Sequence, residues 1–110
     1  MELTSGVFVS TVSPEEWEPD PDIGGEMHVL FTQTGMEAGL SRFLDLPDAP
    51  ITYVLPERET LLVIEGEATV EIADGPTMSL KPGDIASLPK GSHTTWRVMK
   101  APYKEFWVFG

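Results

Sequence analysis

The sequence of 110 residues contains no cysteine, which excludes disulfides, thiolate metal sites and a cysteine nucleophile together. Whatever fold it adopts must rest on packing and hydrogen bonds. Basic residues are also scarce, at seven Lys and Arg against eighteen Asp and Glu, for a net charge of −11. The imbalance is uneven: residues 1–50 hold ten acids and one base, whereas residues 51–110 hold eight acids and six bases. Nucleic acid and anionic membrane are poor partners for such a surface, and its simplest role is solubility. Any bound anion would need a local cluster around Arg42, Arg58 or Arg97. No apolar run approaches the roughly 18 residues that span a bilayer. The opening Met1-Glu2 lacks the basic and apolar regions of a secretory signal, so a cytoplasmic location is expected.

What is present is an ordinary globular composition, 41% apolar and 23% charged, at a length that supports one core and not two. A single domain over residues 1–110 is therefore expected. Apolar residues recur at period two in short segments rich in Val, Ile, Thr, Phe and Trp, the pattern of half-buried strands. Strands are predicted over Val7–Val12, Glu26–Gln33, Glu37–Leu44, Ile51–Leu55, Thr60–Ile64 and Ala68–Ala73. Four more are predicted over Thr77–Leu80, Ile85–Leu88, Thr94–Met99 and Tyr103–Phe109. About ten short strands separated by close turns predict an all-β sandwich or barrel. Asp74-Gly75 favours a tight hairpin, and Lys81-Pro-Gly-Asp84 and Pro89-Lys-Gly91 mark two further breaks. Ser13-Pro-Glu-Glu16 carries an N-cap, a proline at the first helical position and a capping-box acid, predicting one helical turn. Asp20-Pro-Asp-Ile-Gly-Gly25 reads as a connector. Residues 1–38 thus form N-terminal strands and an acidic, proline-rich connector ahead of a barrel core over 39–110.

Between Glu59 and Trp96 the residues resemble the two conserved motifs of the cupin superfamily. Glu59 and Gly66 stand at the spacing of the first motif, whose two histidine slots, counted back from Glu59, fall on Thr52 and Val54. Gly83, Pro89 and Gly91 match the second motif. Its histidine slot is Thr94, with His93 one position early, and its asparagine slot is Val98. Leu62-Val-Ile-Glu-Gly66, Pro89-Lys-Gly-Ser-His-Thr-Thr-Trp96 and Tyr103-Lys-Glu-Phe-Trp107 are similar to short single-domain members related to the ureidoglycine aminohydrolase and ethanolamine-utilisation cupins. The resemblance covers about residues 39–110 and implies a jelly-roll β-barrel. It says little of activity, because this fold hosts many chemistries.

If Thr94 keeps the inward orientation of its slot, strand alternation turns Trp96 and Val98 inward as well. The same parity faces Thr52, Val54, Glu59, Leu61 and Val63 to the interior, giving an apolar pocket with one acid and two hydroxyls. A metal needs three or four converging ligands. Only Glu59 qualifies directly, so no metal or other cofactor is expected. Burial among apolar neighbours would raise the pKa of Glu59 and suit it to acid–base work; a hydrogen-bonded structural acid anchored by Thr52 or Thr94 is the alternative. Trp96 is either a core filler or a ligand platform. Arg42 and Arg97 either grip a ligand carboxylate or pair with surface acids. His93 and His28 are rim or surface residues unless a bulge turns His93 inward.

Three functions follow. The first is metal-independent binding, with conversion as an option, of a small organic acid, amide or sugar derivative, using Glu59 with Thr52, Val54, Thr94, Trp96, His93 and Arg42 around it. The second is a non-catalytic sensor or interaction module with a filled barrel. The third is a metal-dependent hydrolase of the ureidoglycine aminohydrolase type, using Glu59, His93 and a further ligand. The apolar ends Val7-Phe-Val9 and Phe106-Trp-Val-Phe109 suggest edge pairing into a homodimer.

Overall fold

Period-two patterning yields strands throughout the computed structural model, which describes residues 1–110 and contains no helix. In chain order the strands are β1 (Glu2–Thr4), β2 (Val7–Phe8), β3 (Glu18–Pro19), β4 (Glu26–Gln33) and β5 (Met36–Phe43). Then come β6 (Ile51–Val54), β7 (Glu59–Ile72), β8 (Thr77–Leu80), β9 (Ile85–Leu88) and β10 (His93–Phe109). The pairs predicted as Thr60–Ile64 with Ala68–Ala73, and Thr94–Met99 with Tyr103–Phe109, are fused into the long strands β7 and β10. The stretch predicted as Val7–Val12 shortens to two residues, because the chain after Phe8 leaves the ladder to run across the sheet.

β7 and β10 pair antiparallel along nearly their whole length, from Thr94↔Ile72 to Phe109↔Glu59, with irregular register between Val98 and Glu105. That break bends both strands and splits the molecule into two layers. The C-terminal part of β10 pairs with β5, which carries β4 and β3 outward, while Glu59–Leu62 of β7 pairs with β9. The N-terminal part of β10 instead pairs with β6, and Ala68–Glu71 of β7 with β8. Two sheets sharing two bent strands enclose one core, the jelly-roll arrangement expected from the motifs.

At the bend, Gly66 has φ +78° and its missing Cβ would run into the carbonyl oxygens of Lys100 and Pro102. Only glycine combines that φ with so close an approach of another strand. The core beneath is Leu55, Leu61, Val63, Val70, Leu88 and Tyr103, all essentially inaccessible. In the β7–β8 hairpin Asp74, not Gly75, takes the positive φ, at 59°.

The helical turn predicted at Ser13–Glu16 does not form. The indole Nε1 of Trp17 donates to Pro14 O at 2.9 Å, and a single turn without further helix to propagate into costs more than it returns. The segment instead runs as bends over the outer face of β4, β5 and β10. Lys104 Nζ donates there to Val12 O at 2.9 Å, and Ser10 Oγ and His28 Nε2 lie 2.8 Å apart.

Candidate functional site

Inward parity on the strands builds a cavity of about 80 Å³ between the two layers. β10 contributes Trp96, Val98, Tyr103, Glu105, Trp107 and Phe109, and β7 contributes Glu59 at its first position. Glu37, Ser41 and Phe43 come from β5, and Ile51 and Tyr53 from β6. The remaining wall is Met27 together with Asp20, Asp22 and Ile23, so the segment read from the sequence as a connector is part of the site. Its shape is fixed locally: Asp20 Oδ1 accepts from the backbone N–H groups of Asp22 and Ile23 at 2.8 and 3.2 Å, an Asx turn. Gly24 N–H donates to Asp20 O at 3.2 Å.

Glu59 and Glu105 are each only 6% exposed. Glu105 accepts a hydrogen bond from the Tyr103 hydroxyl at 3.0 Å, whereas no protein donor reaches the carboxyl of Glu59, which faces the cavity. Burial pushes Glu59 up to about 9, and the charge of Glu105 adds to the rise. Glu105 is raised by burial to about 7, with the tyrosine hydrogen bond acting in the opposite direction. Burial favours the protonated form of both acids, and two such groups facing one cavity resist carrying both charges at once. Tyr103 stays protonated, its hydroxyl pushed up by burial and by Glu105. The Tyr53 hydroxyl is raised by burial and by the field of Asp22, Glu59, Asp20 and Glu37, four acids on three different parts of the wall acting at one point.

The aromatic side chains form a connected surface. Trp107 and Phe109 have ring centroids 5.3 Å apart, and Tyr53 meets Phe109 edge-on at 6.4 Å. Trp107 crosses β5 above Gly39, where a Cβ would come within 3.1 Å of the indole. Its Nε1 donates to Ser41 Oγ at 2.7 Å, and Trp96 Nε1 donates to Thr94 Oγ1 at 3.1 Å. Thr94 in turn donates to Tyr53 O at 2.6 Å. Thr94 is therefore buried and structural, while Trp96 is a cavity wall that leaves open space beside it.

Several sequence expectations are corrected. Thr52 and Val54 face outward, Val54 at 50% exposure, while Ile51 and Tyr53 take the interior positions. The histidine slots of the first motif select Thr52 and Val54, whereas alternation counted back from Glu59 selects Ile51 and Tyr53, the pair that lines the cavity. His93 is exposed, lying outside with Thr52 and Val54 beside Thr95. Arg42 points away from the cavity because Glu37, Ser41 and Phe43 hold the inward positions of β5. Its Nε lies 2.9 Å from Glu26 Oε1 and its guanidinium 4.0 Å over the Trp17 ring. Arg97 pairs outside with Glu71 at 2.7 Å. His28 lies on the outer face, its Nδ1 3.0 Å from Glu16 O. Glu105, Tyr103 and Trp107 were missed as site residues, although an acid alternating with aromatics over Tyr103-Lys-Glu-Phe-Trp-Val-Phe109 carried the signal.

The donor set does not suit a metal ion. No three His, Cys, Asp or Glu side chains come together closely enough to share one, and both histidines lie outside the barrel, so no chemistry is derived through a metal.

A family model described as the EutQ-like cupin domain matches residues 50–106. Among solved structures, a protein of Salmonella typhimurium assigned as ethanolamine utilization protein Q superposes with a TM-score of 0.80 at 24% identity, covering 99% of this chain and 89% of that one. A Rhizobium leguminosarum protein of unknown function gives 0.65 at 23% identity over 76% and 77% of the two chains. KdgF from a Halomonas species gives 0.66 at 17% identity over 86% of each. No curated protein matches significantly. At these identities the structural likenesses establish the fold.

Proposed function

Since the chain belongs to the EutQ-like cupin domain family, whose fold leaves the chemistry to the cavity, we propose that it binds a small molecule inside the barrel without a metal, with Glu59 as the contacting acid. The observation that carries this reading is the Glu59 carboxyl: buried, facing the cavity and accepting no hydrogen bond from the protein. No fully buried side-chain polar atom is left without a partner, so the Glu59 oxygens are open to the cavity, where a bound ligand supplies the hydrogen bond that the protein does not. Because burial and the charge of Glu105 both favour its protonated form, Glu59 can donate a proton to a ligand atom within hydrogen-bond reach and take it back afterwards. Glu105, held by Tyr103, sets the field in which it does so.

Open space beside Trp96 speaks against the filled-barrel module. The lining also narrows the ligand, because none of the seven Lys and Arg residues belongs to it; the organic-acid member of the expected ligand set is the least compatible.

The test is a small-molecule screen read by the Trp indole resonances of Trp96 and Trp107. Ligands should perturb both in the parent protein, and Glu59→Gln should keep the fold while changing the set of ligands bound. An identical ligand set in parent and variant removes Glu59 from the site, and a library that moves neither indole removes the site itself.

The reading extends to assembly as a homodimer, supported by the exposed apolar side chains of Met1, Leu3, Val7, Phe8 and Val9 around the β1–β2 hairpin, an area that a single copy leaves in water.

A further inference from the structure

The cavity is unusual in what it offers a ligand. Its polar lining is almost all acceptor: Asp20, Asp22, Glu37, Glu59 and Glu105 supply carboxyl groups, and no lysine, arginine or histidine stands among them. Its donors are nearly all committed to the wall. Trp107 Nε1 is held by Ser41, Trp96 Nε1 by Thr94, and the Tyr103 hydroxyl by Glu105. Both indoles therefore turn their polar edges into the protein and line the cavity with ring carbon. A ligand entering this space must bring donors and positive charge, and it meets aromatic rings, which attract a cation over their faces, beside an acid with no hydrogen-bond partner.

We propose that the cavity takes a small organic cation, a primary ammonium head seated on the Glu59 carboxyl and flanked by the rings of Trp96 and Trp107. This rests on the reading of the cavity as a ligand site and goes further in fixing the ligand's charge. Size limits the enclosed part. A cavity of about 150 Å³ accommodates benzene, so about 80 Å³ encloses an ammonium carried on two or three carbons. Asp22, exposed at the edge of the cavity, places a further negative charge on the approach.

A metal cation is a different matter, since it needs several ligands converging on one point, which this lining does not provide. An ammonium needs only one carboxylate and an apolar surround, and its own charge opposes the burial that favours protonated Glu59, so the Glu59 proton passes to solvent as the cation seats.

Three probes of nearly equal size separate the possibilities: propylammonium, propionamide and propionate, titrated at pH 8 against the full chain and followed by the indole resonances of Trp96 and Trp107. Propylammonium should bind at least tenfold more tightly than propionamide, and propionate should not bind. Glu59→Gln should weaken propylammonium at least tenfold while leaving propionamide within about twofold. Glu71→Gln, which removes an acid from the outer surface, should change neither and so excludes a general effect of net charge. Tighter or equal binding of propionamide or propionate overturns the cation assignment while leaving a ligand site in place. Silence of both indoles towards all three probes overturns the site as well.

Discussion

Glu59 and Glu105 differ in what holds them, and the difference has a measurable sign. Both acids titrate above their ordinary value of 4.5 in the folded chain. In the unfolded chain they lose their protons near 4.5, so above that pH folding must take protons up, and stability falls as pH rises. The contribution is fully present below about 4.5 and is lost progressively towards about 9, where the folded form of Glu59 also ionises. Thermal unfolding of the unliganded protein should therefore show Tm declining between pH 5 and pH 9. Glu59→Gln should flatten that decline and stand above the parent at pH 9; a parent Tm that climbs over this range contradicts the assignment. Thr94 belongs to the same scale. It donates to Tyr53 O and accepts from Trp96, so Thr94→Val, which keeps the shape and strands both partners, should cost about 1–3 kcal/mol in urea unfolding.

Among the elements, the pair β7 and β10 carries the architecture, and its weak point is the bend. Gly66→Ala would place a Cβ against two carbonyl groups at a φ that disfavours it. We expect a loss of about 3 kcal/mol or more, seen as a large fall in Tm or as failure to accumulate folded protein. The same strands mark how far the sequence could be read. β4, β8 and β9 have the boundaries that alternation and turn residues assign to them, and Glu59, Leu61, Val63, Trp96 and Val98 face as parity requires. Within one strand, period two is a reliable ruler. Slots transferred from a motif are less reliable: they point to Thr52 and Val54, while Ile51 and Tyr53, in phase with Glu59, hold the inward positions. Arg42 invited a ligand role by its charge, but whether a lone base meets substrate or surface acid depends on the neighbouring strand and the segment that covers it. Asp20 and Asp22 were beyond pattern reading altogether. They reach the cavity through the route of an irregular segment, and no periodicity encodes that route.

At the scale of the whole molecule, the exposed apolar hairpin and the acidic cavity draw on different residues. The exposed apolar side chains around β1 and β2 are not among the residues that line the cavity, so association through the hairpin need not obstruct ligand entry. Light scattering coupled to size exclusion should give twice the mass of the 110-residue chain. Phe8→Asp together with Val9→Asp should return it to a monomer while leaving the cavity's ligand response intact. A parent protein that elutes as a monomer at every concentration tested rules the dimer out.

The two layers do not own their central strands. β7 and β10 pass through both, so neither layer can open without tearing the ladder of the other, and there is no seam along which half the barrel could melt first. In amide exchange this becomes a single protection level: the β7 and β10 amides that pair with each other, on either side of Gly66, should exchange only when the entire chain unfolds. Residues 9–25, tied down by a few local hydrogen bonds, should exchange through far smaller openings. A molecule seated in the cavity would then slow exchange on both sides of the bend by the same factor, however unevenly its own contacts are divided between the layers.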